Sequence, residues 1–419
     1  MKSAYEKVFR VVSLLVLLIL VSACSKQSPG FAQTDQCYKT FDEFAYVLPE
    51  KGVFQEKILP LEPWKVEATL PEYPEKPWSE YVMATRDTES YSEVWVSRFS
   101  WGDDPADSAF YEFVVFRTDT KEWRTVSAEV ENSGVFVQEL FVTKDGDLWG
   151  KNGGRSIIDR SPIALESSIL SKYNQEIESF EFVDEVDDIP AAWMKNEYDI
   201  PQWAEVVLST NSVFWMFLPH GKIYSYDSVT QKVEYHVELP PYNITQVVMS
   251  SDNTFYLKLY DPNSMSFYLE ENELFYYDPV AESVQSLDNP DIPWYGFHGI
   301  LLDKDGRLWL DAEGYREKNG NWHELRPWSL DYYREWIGNS AWRWTTDPYV
   351  MMESSDGRIW FAINHPDVSG YKRGIAWFDP RTKSGCWFTS EGDNLVEDSH
   401  KNLWLVVEDK LYKYSIGTE

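Results

Sequence analysis

The residues of this sequence that could do chemistry are one histidine and several aromatic rings near it. His298 ends the run Trp294-Tyr295-Gly296-Phe297-His298. An imidazole titrates near neutral pH, so beside carboxylates it could serve as a general acid or base. Beside exposed rings such as Trp294 and Tyr295 it instead suits the binding of a neutral sugar or a peptide. A structural or merely exposed imidazole is the third interpretation.

A second aromatic group lies between residues 327 and 348. Trp328, Tyr332 and Trp336 are spaced four residues apart, as on one face of a helix, and Trp342 and Trp344 follow. The spacing predicts a short helical insertion. Its rings either pack on neighbouring elements as ordinary core, or line a ligand-binding cleft together with Trp294, Tyr295 and His298.

Motifs of common catalytic and metal sites are missing from the sequence. It contains no His-Glu-x-x-His, no Cys-x-x-Cys, no phosphate-binding Gly-rich loop and no Gly-x-Ser-x-Gly. The run Asp303-Lys304-Asp305-Gly306 lacks the further acidic residues of a calcium loop. We therefore expect no metal, no cofactor and no catalytic residue. A propeller enzyme, either a lyase or a glycosidase, is the alternative.

Charge and composition indicate which classes of molecule this protein could bind. The 419 residues include 38 basic and 69 acidic side chains, a net charge of −31, and 16% are aromatic. The aromatic content favours a strand-rich globular body. The negative field repels nucleic acid and other anions, unless Arg334 or Arg343 compensates locally. A neutral sugar, a peptide or a membrane-protein partner fits this charge better.

The N-terminus carries the features of an export signal. Lys2, Lys7 and Arg10 precede an apolar run from 11 to 20, which is too short to span a bilayer. The run Val21-Ser22-Ala23-Cys24 that follows resembles the lipobox of bacterial lipoproteins. The resemblance implies a signal peptide over 1–23, a lipid on Cys24, and an extracytoplasmic protein that meets the membrane only through this anchor. An ordinary signal peptide is the alternative. Residues 24–59 are interpreted as a tether and N-terminal extension.

One hairpin pattern recurs along the chain and is clearest at residues 301–310. Alternating apolar residues precede Asp305-Gly306, and Leu308-Trp309-Leu310 follows, as in two antiparallel strands joined by a short turn. The aromatic residue of the second strand recurs every 41 to 66 residues. We call these seven residues the marker aromatics: Trp95, Trp149, Trp215, Tyr256, Trp309, Trp360 and Trp404.

Several units continue into two further strands, as at residues 223–227 and 232–238. Four antiparallel strands per period are typical of a propeller blade, and a closed ring leaves few open sheet edges. The sequence thus predicts an all-β fold, a seven-bladed β-propeller of four-stranded blades over residues 60–419. The last unit has only three strands, so residues 60–70 should complete it. The helical insertion falls between blades 5 and 6.

The segments around Trp149, Trp309, Trp360 and Trp404 resemble the two-component regulator propeller repeat. That family forms seven-bladed rings in bacterial extracytoplasmic sensors and related secreted proteins. The resemblance implies a non-catalytic ligand-binding, sensory or protein-interaction module. Similarity to propellers of the streptogramin-lyase type, which use a histidine with acids at the channel mouth, supplies the enzyme alternative.

The loops differ between the two ends of the predicted blades. The turns between first and second strands are short, whereas the second-to-third connections are long, as at 100–109, 260–272 and 364–373. Binding sites usually occupy variable loops on a rigid scaffold, so we expect the site at the elaborated end.

Two cysteines remain if Cys24 carries a lipid. Cys37 and Cys386 could pair as a disulfide in an exported protein, or remain separate thiols. Cys386 falls in the predicted outer strand of the sixth unit, and the N-terminal segment is expected to return beside the seventh unit.

Overall fold

The structure is a computed structural model, and it describes residues 36–38, 64–72, 82–88, 90–100, 110–131, 133, 135–153, 168–186, 189, 192–195, 201–218, 221–239, 243–260, 272–287, 299–310, 314–324, 349–367, 370–382, 384–389, 394–407 and 409–417. Residues 37–419 form one compact unit and residues 1–36 another. The helical content of these described ranges is one 3-10 turn, Asp184–Val186. None of the helices among them could cross a membrane.

Most described strands belong to seven successive antiparallel sheets. The four consecutive strands of each are Met83–Asp87, Ser92–Ser100, Phe110–Arg117 and Glu122–Ser127 (sheet 1); Val135–Val142, Leu148–Gly153, Leu170–Asn174 and Ser179–Phe182 (sheet 2); Glu205–Leu208, Val213–Phe217, Lys222–Asp227 and Lys232–Glu238 (sheet 3); Asn243–Met249, Phe255–Tyr260, Asn272–Asp278 and Ser283–Ser286 (sheet 4); Ile300–Leu302, Leu308–Leu310, Gly314–Arg316 and Trp322–Glu324 (sheet 5); Tyr349–Glu353, Ile359–Asp367, Gly370–Asp379 and Ser384–Thr389 (sheet 6). Sheet 7 has three such strands, Leu395–Glu397, Asn402–Val407 and Lys410–Ser415.

Two strands from the N-terminal part of the chain complete the last two sheets. Lys65–Thr69 pairs antiparallel with Lys410–Ser415 and becomes the fourth strand of sheet 7. Gln36–Tyr38 lies next to Ser384–Thr389 and becomes the fifth strand of sheet 6. Residues 60–70 are the segment predicted to complete the seventh unit, and Lys65–Thr69 lies within them. The sequence does not predict a pairing partner for Gln36–Tyr38, because short polar segments carry no signal for it.

Three further strands lie outside this four-strand pattern. Glu129–Val130 pairs antiparallel with the first strand of sheet 2 and parallel with its fourth strand, so this strand order closes on itself. Ala192–Lys195 and Pro201–Trp203 form a separate two-stranded ribbon before sheet 3.

A five-residue turn joins the first two strands in most sheets. In sheet 5 the N–H of Asp303 donates to the carbonyl of Arg307, and the N–H of Gly306 donates to the carbonyl of Asp303. Gly306 has a φ of 80°, a conformation that glycine adopts without steric cost. Sheets 3, 4 and 7 place Ser212, Asn253 and Lys401 at this point with φ of 62°. The Asp-Gly pairs are thus turn chemistry, and the glycine is preferred there but not essential.

The hydrophobic core consists of clusters between sheets. Each of seven clusters combines residues of one sheet with residues of the next, and one of them joins sheet 7 to sheet 1 through Trp404 and Val94. Six marker aromatics lie in these clusters, and Trp95 and Trp309 are fully buried. First strands of neighbouring sheets also touch, as between sheets 3 and 4 and between sheets 7 and 1. This all-β arrangement of four-stranded antiparallel sheets is consistent with a propeller.

One predicted long loop is a hairpin instead. The second and third strands of sheet 6 extend to Asp367 and from Gly370, and those two residues pair with each other. The prediction of a long inserted loop at 364–373 is therefore wrong, because backbone pairing continues from Asn364 and Arg373 to Asp367 and Gly370. The predicted helical insertion at 327–348 lies outside the described residues.

Candidate functional site

The predicted ligand-binding residues lie outside the part of the chain that the structure describes. They are Trp294, Tyr295, His298, Trp328, Tyr332, Trp336, Trp342 and Trp344. The same holds for the predicted lipidation site, Cys24. Their roles therefore stay predictions. Cys37 and Cys386 both fall within described strands.

The turn end of the sheets, where first and second strands join, is held by a buried acid and a marker tryptophan. Asp303 has no exposed side-chain area and accepts hydrogen bonds from Trp309 Nε1 (2.9 Å) and Arg307 Nε (2.6 Å). Asp398 accepts one from Trp404 Nε1 (2.8 Å), and Ser354 Oγ accepts one from Trp360 Nε1 (3.0 Å). These acceptors pair with indole N–H groups that would otherwise be buried without a hydrogen-bond partner.

Carboxylates at the ends of first strands tie three of the turns to the next sheet. In each case a turn N–H donates to a carboxylate of the following sheet. The pairs are Lys304 to Glu353 Oε2 (2.7 Å), Ser355 to Glu397 Oε2 (2.7 Å) and Ser399 to Asp87 Oδ2 (2.9 Å). The last pair joins sheet 7 to sheet 1. The acidic residues at this end therefore have a structural role.

A serine, a histidine and an aspartate meet where sheet 7 contacts sheet 1. Ser92 Oγ donates to Asp87 Oδ1, and His400 Nδ1 lies 3.1 Å from the same Ser92 Oγ. In a catalytic triad the imidazole lies between the hydroxyl and the acid. Here the hydroxyl lies between the other two, and Ser92 is buried. This group closes a contact between sheets and is not a nucleophile with its base.

A polar cluster occupies the inner strands away from the turn end. Glu139, Glu205 and Gln246 come from the first strands of sheets 2, 3 and 4. They share one register position, two residues before the strand partner of the marker aromatic. In sheets 2 and 4 the strand register shifts just before this position, a bulge that can re-aim a side chain. We call these three residues and Lys151 the inner-strand cluster.

Lys151 is the buried centre of this cluster. Its Nζ donates to Glu139 Oε1 at 2.7 Å, and Glu205 Oε2 lies 4.0 Å away. Gln246 bonds the backbone of the next sheet, accepting from the N–H of Ile300 at 2.8 Å and donating to its carbonyl at 3.2 Å. Lys151 thus links Glu139 and Glu205, and Gln246 is held by the backbone of sheet 5. Glu205 accepts no hydrogen bond from the described residues.

The pKa values of Glu205 and Lys151 are both raised, but for different reasons. Desolvation raises the pKa of Glu205 to about 7, although Lys151 acts in the opposite direction. The pKa of Lys151 is also raised, because Glu139 and Glu205 outweigh the effect of its own desolvation. The side chain of Glu205 is nevertheless 28% exposed to solvent. Glu205 is therefore a half-buried carboxyl whose pKa is set mainly by desolvation.

The arrangement can bind hydrogen-bonding groups and can exchange a proton near neutral pH. Glu205, which lies 4.0 Å from Lys151 Nζ, can accept further hydrogen bonds when ionised and can donate one when protonated. The same property would suit a general acid or base, provided that a substrate reached it. Groups of three or more metal-ligating side chains suited to an ion are not found in the described ranges.

Sequence reasoning missed both polar groups, although each carries a signal. Glu139, Glu205 and Gln246 lie ten positions before their marker aromatics. Asp303, Ser354 and Asp398 lie six positions before theirs, as do Thr143, Ser209 and Ser250. Aligning the units on the marker would have shown a polar residue at both offsets within otherwise apolar strands.

Comparison with known proteins yields structural similarity without sequence similarity. No protein-family model and no curated protein sequence matches the chain. The extracellular domain of a putative hybrid two-component system from B. thetaiotaomicron is 14% identical, with 80% of this chain and 40% of that one covered and a TM-score of 0.46. PorZ, a surface component of the type-IX secretion system of Porphyromonas gingivalis, is 10% identical, with 83% and 49% covered and a TM-score of 0.48.

A third solved structure, YCF48 bound to D1 peptide, is 11% identical, with 87% of this chain and 99% of that one covered and a TM-score of 0.45. The chain spans less than half the length of the first two proteins. Identities this low say nothing about activity.

Proposed function

We propose that this chain is an extracytoplasmic, lipid-anchored, seven-bladed β-propeller that acts as a non-catalytic ligand-binding, sensory or protein-interaction module. The seven inter-sheet clusters support the closed ring, because the one through Trp404 and Val94 joins the last sheet to the first. The lipobox at Cys24 supports the anchor. Residues 60–419 form the ring, with residues 60–70 in its last blade.

The inner-strand cluster is the observation that carries the binding role. Three successive sheets present a carboxylate or an amide at one level, and Glu205 lacks a hydrogen-bond donor among the described residues. A rigid scaffold with a half-buried carboxylate that accepts no hydrogen bond from the described residues suits a ligand that donates hydrogen bonds. A neutral sugar or a peptide has such donors and is not repelled by the acidic field.

A thermal-shift screen against neutral sugars and peptides tests this function. We expect a hit whose affinity falls at least tenfold in both Trp336→Ala and Trp342→Ala, since stacking on aromatic rings holds such ligands. Tyr235→Ala is the matched control, because Tyr235 is an exposed ring on the outer strand of sheet 3. Unchanged affinity in both tryptophan variants, with folding intact, would refute the predicted cleft.

The enzyme alternative rests on Glu205, whose pKa of about 7 suits a general acid. A propeller lyase or glycosidase would lose activity in Glu205→Gln without loss of folding. Turnover of any screened ligand, measured by mass spectrometry of the products, distinguishes catalysis from binding.

A further inference from the structure

The fold brings two distant cysteines into neighbouring strands of one sheet. Cys37 is the middle residue of Gln36–Tyr38, and Cys386 is the third residue of Ser384–Thr389. These two strands are adjacent in sheet 6. Nothing in the sequence pattern of either segment requires this pairing, so the adjacency is information that the tertiary structure adds.

Adjacent strands suit a disulfide in their spacing. Neighbouring strands in a sheet lie about 4.8 Å apart in the hydrogen-bonding direction. Disulfides join Cα atoms about 4.4 to 6.8 Å apart. A strand of three residues has few backbone hydrogen bonds of its own, so a covalent link is what would hold it at the sheet edge.

We infer that Cys37 and Cys386 form a disulfide that fastens Gln36–Tyr38 to the outer edge of sheet 6. Each thiol gives up its proton, and together they give up two electrons to an external disulfide, which is reduced to two thiols. Such oxidants are found outside the cytoplasm, where the signal sequence directs the chain. The bond also fixes the chain 13 residues after Cys24.

Tryptic mapping of the exported full-length chain under non-reducing conditions tests the bond. Cleavage after lysine releases Cys37 within residues 27–39 and Cys386 within residues 384–401. We expect one species with the combined mass of the two peptides, which reduction splits into both. Recovery of both peptides as alkylated free thiols from the unreduced, denatured protein would overturn the inference.

Two single variants guard against misassignment. Cys37→Ser should expose one new alkylatable thiol at Cys386, and Cys386→Ser should expose one at Cys37. If either variant leaves the remaining cysteine blocked, that cysteine pairs elsewhere and the inferred bond is wrong. Each variant should also unfold at a lower temperature than the oxidised parent, and reduction should remove the difference.

Discussion

Replacing Asp303 by alanine should lower the free energy of unfolding by about 3 kcal/mol. The carboxylate is fully buried and accepts from Trp309 Nε1, from Arg307 Nε and from the Arg307 N–H. Its removal leaves a buried indole N–H without an acceptor and a guanidinium with fewer partners. Arg307 still pairs with Asp305, so the loss of stability is smaller than for a buried charge with no partner.

Chemical denaturation of three variants at one pH measures the effect. Asp305→Ala is the matched control, because Asp305 belongs to the same turn but is 65% exposed, and exposed ion pairs contribute little. Asp303→Ser should be intermediate, since Ser354 accepts from the marker tryptophan at the equivalent place in sheet 6. Equal losses in Asp303→Ala and Asp305→Ala would contradict the assigned role.

Replacing Glu205 by glutamine should stabilise the protein at pH 8 by about 2 to 3 kcal/mol. Burial raises the pKa of this carboxyl from 4.5 to about 7, so the folded state holds its proton more tightly than the unfolded chain does. The parent therefore loses stability as the pH rises from 4.5 to 7. Glutamine has no charge to desolvate, and the variant escapes that loss.

Unfolding curves of parent and variant at pH 4.5, 6, 7 and 8 test this dependence. The difference in stability between them should be near zero at pH 4.5, grow through the window and level off above pH 7. Glu176→Gln, at an exposed turn of sheet 2, should show no comparable growth. A stability difference that is independent of pH would mean that the pKa of Glu205 is the same in the folded and unfolded states, and would contradict the prediction.

The architecture could be predicted from the sequence because it depends on local, repeated signals. Strand alternation, the Asp-Gly turns and the spacing of the marker aromatics each act over a few residues and recur along the chain. The structure accordingly has an all-β set of four-stranded antiparallel sheets with Trp149, Trp309 and Trp360 between them.

The inner-strand cluster could not be predicted in the same way. Lys151 belongs to the second strand of sheet 2. It contacts Glu139 on the first strand of the same sheet and Glu205 on the first strand of sheet 3. Each residue by itself is an ordinary charge in a strand, and only the register and the packing of sheets 2 and 3 bring them together. The desolvation that raises the pKa of Glu205 likewise comes from the atoms packed around it, which no sequence pattern records.

The sequence by itself thus determined the repeating hairpin, the fold class and the expected export signal. The repeat period and the turn residues depend only on residues close together in the chain. Lys65–Thr69 pairs with Lys410–Ser415, within the residues 60–70 that the sequence predicted to complete the last unit. Tertiary structure alone decided that Asp303 and Asp398 hold buried indoles. It also decided that Gln36–Tyr38 joins sheet 6. The physical reason is common to all of these. Contacts between distant segments depend on how whole sheets stack, and stacking is a property of the assembled chain.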